Sequence, residues 1–395
     1  MLADRFVLLE QVVKRIWWGD KLAAFARSRI GWAAALRPAR QHPTAVVLFT
    51  SGSENLPKAV PLTHANILAN LRDICNVFEF KHNDRLLGML PPFHSFGLAI
   101  TTLLPLLGGV PVVYHANPTE GAALARLIEA YKVTLLVGTP TFLNGIVRVA
   151  RAGELDTLRR VISGAEKCPA PLYDLIKRLW PQAHLVEGYG ITECSPVVSL
   201  NDEQAPQFGT IGKVLPSIEH ALVEIDGASR VAQGQTGMLL LRGPSIFGGY
   251  LNHDGASPFI EFEGRNWYRT GDLASETPDG LLIFAGRLKR FVKLGGEMIS
   301  LPAIEEVLNR QYARASDDEP VLAVEATPAE LNPELVLYTV RELDREQVNR
   351  CIRAAGLPAL YTIRTVVKLD KIPLLGTGKT DYRALKQSII ETKPG

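Results

Sequence analysis

Residues 134–190 read TLLVGTPTFLNGIVRVARAGELDTLRRVISGAEKCPAPLYDLIKRLWPQAHLVEGYG, and this stretch decides the fold. Segments with helical periodicity occupy 139–150 and 170–180. Short strand-like runs precede, separate and follow them, each ending at glycine: TLLVG, RRVISG and HLVEGYG. Strands that alternate with helices of this length are typical of α/β proteins, so the sequence predicts a mostly parallel sheet flanked by helices.

The same alternation extends upstream. A helix is predicted from Thr63, whose hydroxyl can cap the first turn. The stretch 93–114 has no charged residue, but Pro105 and the glycine pair at 108–109 would break a membrane-spanning helix. We expect it to form a buried helix, a turn and a buried strand.

The character of the sequence changes twice downstream. Short strands separated by Gly and Pro favour a small antiparallel or barrel-like subdomain at 206–288. The remainder, 289–395, is typical of a separate α+β module. We therefore predict an α/β subdomain at 44–205, these two units, and a basic helical leader at 1–43 that represents the end of a larger upstream part.

Composition is that of a compact protein with more than one domain. Of the 395 residues, 47% are hydrophobic and 21% are charged, and the formal net charge is +2. This charge gives no case for nucleic acid binding. The N-terminus has no secretory signal pattern. Widely spaced cysteines without a C-x-x-C pair argue against a zinc site or a disulfide framework and favour a reducing cytoplasm: Cys75, Cys168, Cys194 and Cys351.

The leader is basic, with eight Lys or Arg residues against three acids over 1–43. Tryptophans lie between these charges, among them Trp17, Trp18 and Trp32. Two interpretations stay open at this point. The segment can lie on an anionic membrane surface, or it can be a solvated helical connector.

A loop with the composition of a phosphate-binding site follows the apolar run AVVLF. Its residues are Thr50, Ser51, Gly52, Ser53, Glu54, Asn55, Leu56, Pro57 and Lys58. Backbone N–H and hydroxyl groups can converge on phosphate oxygens in such a loop, and the lysine adds a cation. It is not a Walker A loop, because Pro57 precedes the lysine and Ala59 follows it. An ordinary turn explains the same residues when they are taken alone.

Two further motifs carry carboxylates. The first, EGYGITE, ends in Thr192 and Glu193. Glu193 can hold Mg²⁺ against substrate phosphates, since hard cations prefer oxygen ligands, and Thr192 can bind an α-phosphate. The second, YRTGD, places Asp272 after a tight turn, where two ribose hydroxyls can donate to it. Ordinary turn chemistry remains an alternative for each motif by itself.

Taken together and in this order, the motifs resemble those of the adenylate-forming superfamily, which contains acyl-CoA synthetases, peptide-synthetase adenylation domains and luciferases. The resemblance covers about 44–386. Its motifs are the loop at 50–58, PPFH at 91–94, GAE at 164–166, EGYGITE at 187–193, YRTGD at 268–272, GR at 286–287, GGE at 295–297 and GTGK at 376–379. It implies layered, mostly parallel sheets with flanking helices, a small β-barrel-like subdomain and a mobile C-terminal lid.

The resemblance also implies an enzyme that uses ATP and Mg²⁺ to form an acyl-adenylate. Lys379 is then the leading catalytic residue, with Thr192 at the α-phosphate and Glu193 at the metal. His94 is a gate beside the acyl pocket, with a buried structural histidine as the alternative, and Lys289 is a hinge. The implied nucleotide-binding residues are Thr50, Ser51, Gly52, Ser53 and Lys58 at the phosphates, Gly164, Ala165, Glu166, Gly188, Tyr189 and Gly190 around adenine, and Asp272 and Arg287 at the ribose.

Finer features resemble one branch of the superfamily. The strings PPFHSFGL, SGAEK and EGYGITECSPVVSLN look like the acyl-acyl-carrier-protein synthetase half of a bacterial bifunctional lysophospholipid acyltransferase. This implies a fatty acid as substrate, acyl carrier protein as thiol acceptor, an acyltransferase domain or chain as partner, and a cytoplasmic location at the inner face of the cell membrane. A long-chain acyl-CoA synthetase, with coenzyme A as acceptor, is the alternative.

The sequence departs from the family pattern in two ways. Asn55 and Ala59 stand where the phosphate loop commonly has glycine. Only 43 residues precede Thr44, where the family has a longer stretch that completes the large domain. Without that stretch we expect an unprotected sheet edge and exposed apolar surface. An inactive remnant that binds a nucleotide or a partner chain is therefore a second hypothesis.

Overall fold

The computed structural model describes residues 16–30, 43–50, 58–225, 227–294, 297–314, 317, 319–327, 333–374 and 380–392. Its contacts group the chain into two compact units, 1–45 and 46–395. The first unit contains helix α1 (Trp18–Ile30). The Asp20 carboxylate near its start accepts a hydrogen bond from the Trp17 backbone N–H at 3.1 Å. None of the helices in the described part of the chain has the length and apolar character needed to cross a bilayer.

A seven-stranded sheet forms the centre of the second unit. Five neighbouring strands are parallel, and two antiparallel strands complete one edge. In spatial order the strands are β4 (Val112–Tyr114), β3 (Leu86–Gly88), β5 (Leu135–Gly138), β6 (Arg160–Ser163), β7 (His184–Gly190), β8 (Val197–Leu200) and β9 (Lys213–Val214). The predicted mostly parallel sheet is confirmed.

Both faces of this sheet are covered by apolar side chains. Alternate residues of a strand point to opposite faces. In β5, Leu135 and Val137 belong to one apolar cluster, whereas Leu136 belongs to a second cluster. None of the three side chains is more than 1% exposed. Because neither face meets water, the strand has no polar position, and this explains the continuous apolar run in the sequence.

Helices flank the sheet as predicted. Helix α2 (His64–Val77) begins at the predicted cap, where the Thr63 hydroxyl accepts from the Asn66 backbone N–H at 3.0 Å. The Asn66 side chain accepts from the Thr63 backbone N–H in return, and such a cap stabilises a helix by about 1 kcal/mol. The remaining helices of this region are α3 (Leu104–Gly108), α4 (Gly121–Tyr131), α5 (Pro140–Val147) and α6 (Ala170–Leu179).

The uncharged stretch 93–114 forms a helix, a turn and a strand. A π-helical segment (Gly97–Leu103) continues into α3, and Gly109 ends the helix with a φ of 69°. This left-handed conformation suits glycine. The prediction that the following strand is buried is wrong for Tyr114, whose side chain is 62% exposed, because β4 is the edge strand of the sheet.

Exposed apolar side chains lie at and just before this edge. Leu106 and Leu107 of α3 are 75% and 61% exposed. Among the described residues, no further strand pairs with the outer side of β4. Among the residues that the structure describes, this edge of the sheet is therefore open and bordered by exposed apolar side chains.

A second sheet is antiparallel and follows the first in sequence. Its strands are β10 (Glu219–Val223), β11 (Gly237–Arg242), β13 (Arg265–Glu276) and β12 (Phe259–Phe262) in spatial order, with β14 (Leu282–Arg287) also paired to β13. The predicted antiparallel subdomain is thereby confirmed. A separate two-stranded ribbon consists of β1 (Thr44–Thr50) and β2 (Lys58–Thr63).

The C-terminal part has an apolar core of its own. A three-stranded sheet combines one antiparallel and one parallel pairing. The elements are the hairpin β15 (Phe291–Leu294) and β16 (Glu297–Ser300), the sheet strands β17 (Leu322–Ala326), β18 (Leu335–Thr339) and β19 (Ile363–Lys368), and the helices α7 (Leu301–Tyr312), α8 (Arg345–Ala354) and α9 (Tyr382–Thr392). The exact domain boundaries stay a prediction.

Arg290 fixes the start of this part to its core. Its guanidinium pairs with Glu305 of α7 at 2.7 Å and with Glu325 of β17 at 3.0 Å. The same group lies 3.5 Å from the centroid of the Tyr382 ring in α9, a favourable contact between a cation and an aromatic face. One side chain therefore connects three elements of the C-terminal part.

Candidate active site

The carboxyl ends of the parallel strands open into a cleft of 3930 Å³, which is where open α/β sheets bind their ligands. The sequence predicts residues that bind the nucleotide or the metal, a gate beside the acid and a hinge. Those that the structure describes all line this cleft: Thr50, Lys58, His94, Gly164, Ala165, Glu166, Gly188, Tyr189, Gly190, Thr192, Glu193, Asp272, Arg287 and Lys289. The other predicted residues lie outside the described residues: Ser51, Gly52, Ser53 and Lys379.

The turn after β6 presents a carboxylate oxygen to the cleft. Ala165 has a φ of 67°, a left-handed conformation that is uncommon for a residue with a side chain. The next residue, Glu166, accepts from the Thr141 hydroxyl on Oε2 at 2.8 Å. Within the described part of the chain its Oε1 is buried and accepts no hydrogen bond. A buried acceptor without a partner is costly, so this oxygen suits a donor on a ligand.

The end of β7 provides an aromatic wall. A side chain on Gly190 would place its Cβ 2.5 Å from the Pro196 carbonyl oxygen, so only glycine fits there. The Tyr189 ring stacks on Phe284 with centroids 5.6 Å apart, and its hydroxyl donates to Asp272 Oδ2. Burial and the nearby Asp272 carboxylate raise the pKa of Tyr189 well above its ordinary value. The tyrosine therefore stays a donor, and its ring is held in one orientation.

Asp272 and Arg287 face each other across β13 and β14. Arg287 Nε lies 3.3 Å from Asp272 Oδ1. Burial raises the pKa of Asp272 above its ordinary value, although Arg287 and the Tyr189 hydroxyl act in the opposite direction. The Asp272 side chain is 3% exposed and the Arg287 side chain 65% exposed. The pair thus offers a buried acceptor and an accessible donor to a polar ligand.

Thr192 and Glu193 lie in a 3₁₀ turn directly after β7. The oxygen atoms of the Thr192 and Ser95 hydroxyls are 3.1 Å apart. Glu193 is buried, and its Oε1 accepts from the Tyr250 hydroxyl at 2.7 Å. These hard oxygen donors fit Mg²⁺. The described residues contain no group of three or more His, Cys, Asp or Glu side chains that could hold a metal ion, so nucleotide oxygens or water must supply the other ligands.

Lys58 is the first residue of β2 and Thr50 is the last residue of β1. The loop between them lies outside the described residues. Lys58 Nζ lies 4.8 Å from the centroid of the Tyr250 ring. The ribbon therefore brings both ends of the predicted phosphate loop to the cleft, with the lysine next to the tyrosine that contacts Glu193.

His94 and Lys289 are both exposed. The interpretation of His94 as a buried structural histidine is wrong, because the short turn 91–94 carries its ring to the surface beside Phe93, with ring centroids 5.3 Å apart. Lys289 lies in the 3₁₀ turn (Leu288–Arg290) between the antiparallel sheet and the C-terminal part. Their roles as gate and hinge stay predictions.

An apolar wall continues the cleft away from the charged groups. Its partly exposed side chains come from the residue before the π-helical segment, from α5 and from β6: Phe96, Phe142 and Ile162. Ile100 and Val137 lie behind them in the core. Such a surface favours an apolar ligand, since burying each methylene contributes about 0.8 kcal/mol.

Sequence reasoning missed three residues of the site: Ser95, Thr141 and Tyr250. Ser95 directly follows His94 in a motif that was recognised, so proximity in sequence could have found it. Thr141 and Tyr250 belong to none of the recognised motifs. They reach the cleft only through the tertiary fold, and no local pattern identifies them.

A family model described as AMP-binding enzyme matches residues 8–251. The chain is 36% identical over 276 residues to the Acyl-CoA ligase SID4 of Ajellomyces capsulatus, a match that covers 67% of this chain and 46% of that protein. The chain spans 62% and 64% of two further curated relatives. The chain therefore spans about half to two thirds of the length of these curated relatives.

Solved structures share the fold. MatB from Rhodopseudomonas palustris with ATP bound has a TM-score of 0.77 and 22% identity, covering 89% of this chain and 69% of that one. The O-succinylbenzoate Coenzyme A Synthetase from Bacillus subtilis, in complex with ATP and magnesium ion, has a TM-score of 0.74 and 22% identity, covering 86% and 69%. The likeness supports the α/β large domain with its antiparallel half-barrel.

Proposed function

Since the chain belongs to the AMP-binding enzyme family, within the adenylate-forming superfamily, we propose that it activates a carboxylic acid with ATP and transfers the acyl group to a thiol. One observation supports this proposal above the others. Groups suited to phosphate, metal, ribose and an apolar acid line a single cleft at the carboxyl end of the sheet.

The first half-reaction forms an acyl-adenylate. A carboxylate oxygen of the acid attacks the α-phosphorus of ATP, and a new P–O bond forms. The bond from the α-phosphorus to the bridging oxygen breaks, and pyrophosphate leaves with that electron pair. The enzyme supplies no nucleophile, so catalysis depends on alignment and on stabilising negative charge.

In this proposal the residues of the recognised motifs divide this work. Lys58 binds the β- and γ-phosphates together with Ser51 and Ser53 of the loop. Thr192 donates its hydroxyl to the α-phosphate, and Asp272 accepts from the ribose hydroxyls. Mg²⁺, when bound, neutralises charge between phosphate groups, and Glu193 is the carboxylate that would hold it. In this proposal Lys379 bridges the acid carboxylate and the α-phosphate.

The second half-reaction releases AMP. The acceptor sulfur, after losing its proton to solvent, attacks the acyl carbonyl carbon. The C–S bond forms, and the C–O bond to AMP breaks with its electron pair on the departing phosphate. Rotation about Lys289 would withdraw Lys379 and bring the loop 295–297 toward the thiol.

A fatty acid is the proposed acid. The partly exposed apolar side chains of Phe96, Phe142 and Ile162 in the cleft support an aliphatic chain rather than a polar one. Beyond the acid, the sequence resemblance supports acyl carrier protein as acceptor, an acyltransferase as partner and a cytoplasmic location at the inner membrane face. The similarity to the Acyl-CoA ligase SID4 of Ajellomyces capsulatus favours coenzyme A as the competing acceptor.

Two assays on the purified chain test the proposal. ATP–pyrophosphate exchange is measured with fatty acids of increasing length, and hydroxylamine traps the acyl-adenylate. We expect exchange that depends on the acid and on Mg²⁺. Nucleotide binding without exchange for any acid would favour the hypothesis of an inactive remnant instead. A competition between carrier protein and coenzyme A as thiol then identifies the acceptor.

A further inference from the structure

A short segment of the antiparallel subdomain crosses the phosphate end of the cleft. We name residues 247–251 the strap. At one end the Phe247 backbone N–H donates to the Glu193 carbonyl oxygen at 2.8 Å, and at the other the Leu251 N–H donates to the Ala59 carbonyl oxygen at 3.0 Å. The strap is therefore bonded to the Thr192–Cys194 turn and to the start of β2 at the same time.

The segment before the strap is also held in place. The side-chain amide of Asn66 in α2 donates to the carbonyl oxygens of Pro244 and Ile246 at 2.8 and 2.9 Å. Within the strap, Gly249 has a φ of 125°, which a residue with a side chain rarely adopts. The conformation of Gly249 therefore helps to set the direction in which the Tyr250 side chain leaves the backbone.

Tyr250 contacts both groups that the proposed function assigns to the phosphate end. Its hydroxyl donates to Glu193 Oε1 at 2.7 Å, and the Lys58 ammonium lies 4.8 Å from its ring centroid. The ring packs edge-on against Phe247, with centroids 4.9 Å apart and planes at 67°. The tyrosine thus lies between a carboxylate and a cation that are 135 positions apart in sequence.

We propose that Tyr250 is a positioning residue that sets the orientation of Glu193 and the place of Lys58 before a nucleotide binds. The hydroxyl occupies Oε1 and leaves the second carboxylate oxygen for a cation. The ring face holds the ammonium near the end of the phosphate loop. This inference rests on the proposed function, because it takes Glu193 as the metal carboxylate and Lys58 as a phosphate ligand.

The physical reason is preorganisation. A carboxylate that rotates freely loses conformational freedom when it binds a cation, and a fixed carboxylate does not. A hydrogen bond to a charged group changes an equilibrium about 10-fold. A contact between a cation and an aromatic face changes it about 2- to 5-fold. The two contacts of Tyr250 therefore predict two separable effects.

Tyr250→Phe and Tyr250→Leu separate these effects. The dissociation constant of a fluorescent ATP analogue is measured with Mg²⁺ and with EDTA. In Tyr250→Phe, which keeps the ring, we expect the tightening of binding by Mg²⁺ to fall about 10-fold while binding in EDTA is unchanged. In Tyr250→Leu we expect the same loss and, in addition, about 2- to 5-fold weaker binding in EDTA.

Tyr338→Phe is the matched control. Tyr338 is buried, and its hydroxyl bonds to the Leu385 carbonyl oxygen and to Ser388 in the C-terminal part. This change should lower the melting temperature without altering the effect of Mg²⁺. If Tyr250→Leu does not fold, Tyr250→Phe alone decides the question.

Each outcome decides one of the two proposals. The positioning role is overturned if the wild-type chain binds the analogue and Tyr250→Phe shows the same response to Mg²⁺ as the wild type. The proposed function is then unaffected. Equal weakening with Mg²⁺ and with EDTA also overturns the positioning role, since that pattern reflects general damage. A wild-type chain that binds no nucleotide overturns the proposed function and the inference with it.

Discussion

Lys167 Nζ and Glu306 Oε2 form an ion pair of 2.6 Å. Lys167 follows the turn that carries Glu166, whereas Glu306 lies on α7 of the C-terminal part. The two side chains are 52% and 37% exposed, so water screens the pair and its contribution is about 0.2–1 kcal/mol. This contact joins α7 to the turn after β6 in the conformation that the structure describes.

Breaking this pair should loosen the C-terminal part without unfolding it. For Lys167→Ala, Glu306→Ala and the double variant, we expect trypsin to cleave after Lys289 about 1.5- to 5-fold faster, as the ion-pair energy implies. The double variant should be no faster than either single one. Mass spectrometry of a digestion time course measures the rate. Arg310→Ala is the control, because Arg310 pairs with Glu306 on the same helix. Additive effects of the single changes would contradict a direct interaction.

Lys379→Ala should separate the two half-reactions. We expect ATP–pyrophosphate exchange to slow about 100-fold, the scale for losing a contact to developing charge in the transition state. Transfer from preformed acyl-adenylate to thiol should remain. Lys368→Ala removes an exposed lysine of the same part that pairs with Glu342, and it should change neither rate. An equal loss in both half-reactions would argue against a lysine that acts only in the first.

Nucleotide affinity should fall at acid pH because of Asp272. Burial raises the pKa of this carboxyl despite Arg287, so it takes up a proton at a higher pH than an ordinary aspartate. The protonated group is a poorer acceptor for ribose hydroxyls. The dissociation constant of ATP should therefore rise as pH falls through the raised pKa.

Asp272→Asn should abolish the loss of ATP affinity at acid pH. It should also weaken ATP binding about 10-fold at neutral pH, the scale for a hydrogen bond to a charged group. Titration of ATP across pH by calorimetry gives both values. Asp279→Asn changes an exposed turn carboxylate nearby and should keep the wild-type profile. A wild-type profile in Asp272→Asn would exclude Asp272 as its source.

A buried ion-pair network should dominate the acid sensitivity of folding. Arg159 pairs with Asp84 at 2.5 Å and with Glu203 at 3.1 Å, and these carboxylates are 1% and 5% exposed. Burial alone raises the pKa of Asp84, but hydrogen bonds from Arg159, the Lys81 backbone and Thr134 lower it below its ordinary value. The stability that Asp84 contributes is therefore present above its unfolded pKa of about 3.9 and is lost as pH falls through the lower folded value.

Arg159→Met should lower the free energy of unfolding by about 3–5 kcal/mol at pH 7. The buried Asp84 loses its cation, and Glu203 keeps only its pair with Arg160 at 2.9 Å. In Asp84→Asn the deficit relative to wild type should shrink as pH falls below about 4. Urea unfolding followed by circular dichroism measures both effects. Arg126→Met, at an exposed position of α4, should change stability by less than about 0.5 kcal/mol. A deficit in Asp84→Asn that is independent of pH would contradict the assigned pKa.

Much of the architecture follows from sequence because local and tertiary preferences agree. The run 135–138 is apolar throughout, and the strand is buried on both faces. The Thr63 cap is a local interaction within one turn, so it is visible in sequence. Tyr114 shows the limit. Its strand has the same β-branched, apolar character, but whether a neighbour covers it depends on distant parts of the fold.

The same difference between local and tertiary signals applies to the candidate site. Loop and turn residues such as Glu193 and Asp272 stand in motifs whose chemistry is readable from residue type. Tyr250 could not be predicted, because its contacts with Lys58 and Glu193 join three segments far apart in sequence. The orientation of the Glu166 carboxylate likewise depends on a tertiary contact, since its Oε2 accepts from Thr141, which lies 25 positions away.

The anchoring of Arg290 limits how the C-terminal part can swing. Its guanidinium is fixed by two carboxylates and an aromatic ring, so a change of chain direction downstream of it would have to break these contacts. The rotation that we propose about Lys289 would therefore use the backbone torsions at Lys289 and just before it. In such a rotation the three elements that Arg290 joins, α7, β17 and α9, would move together, and the displacement of each of their atoms would grow with its distance from Lys289.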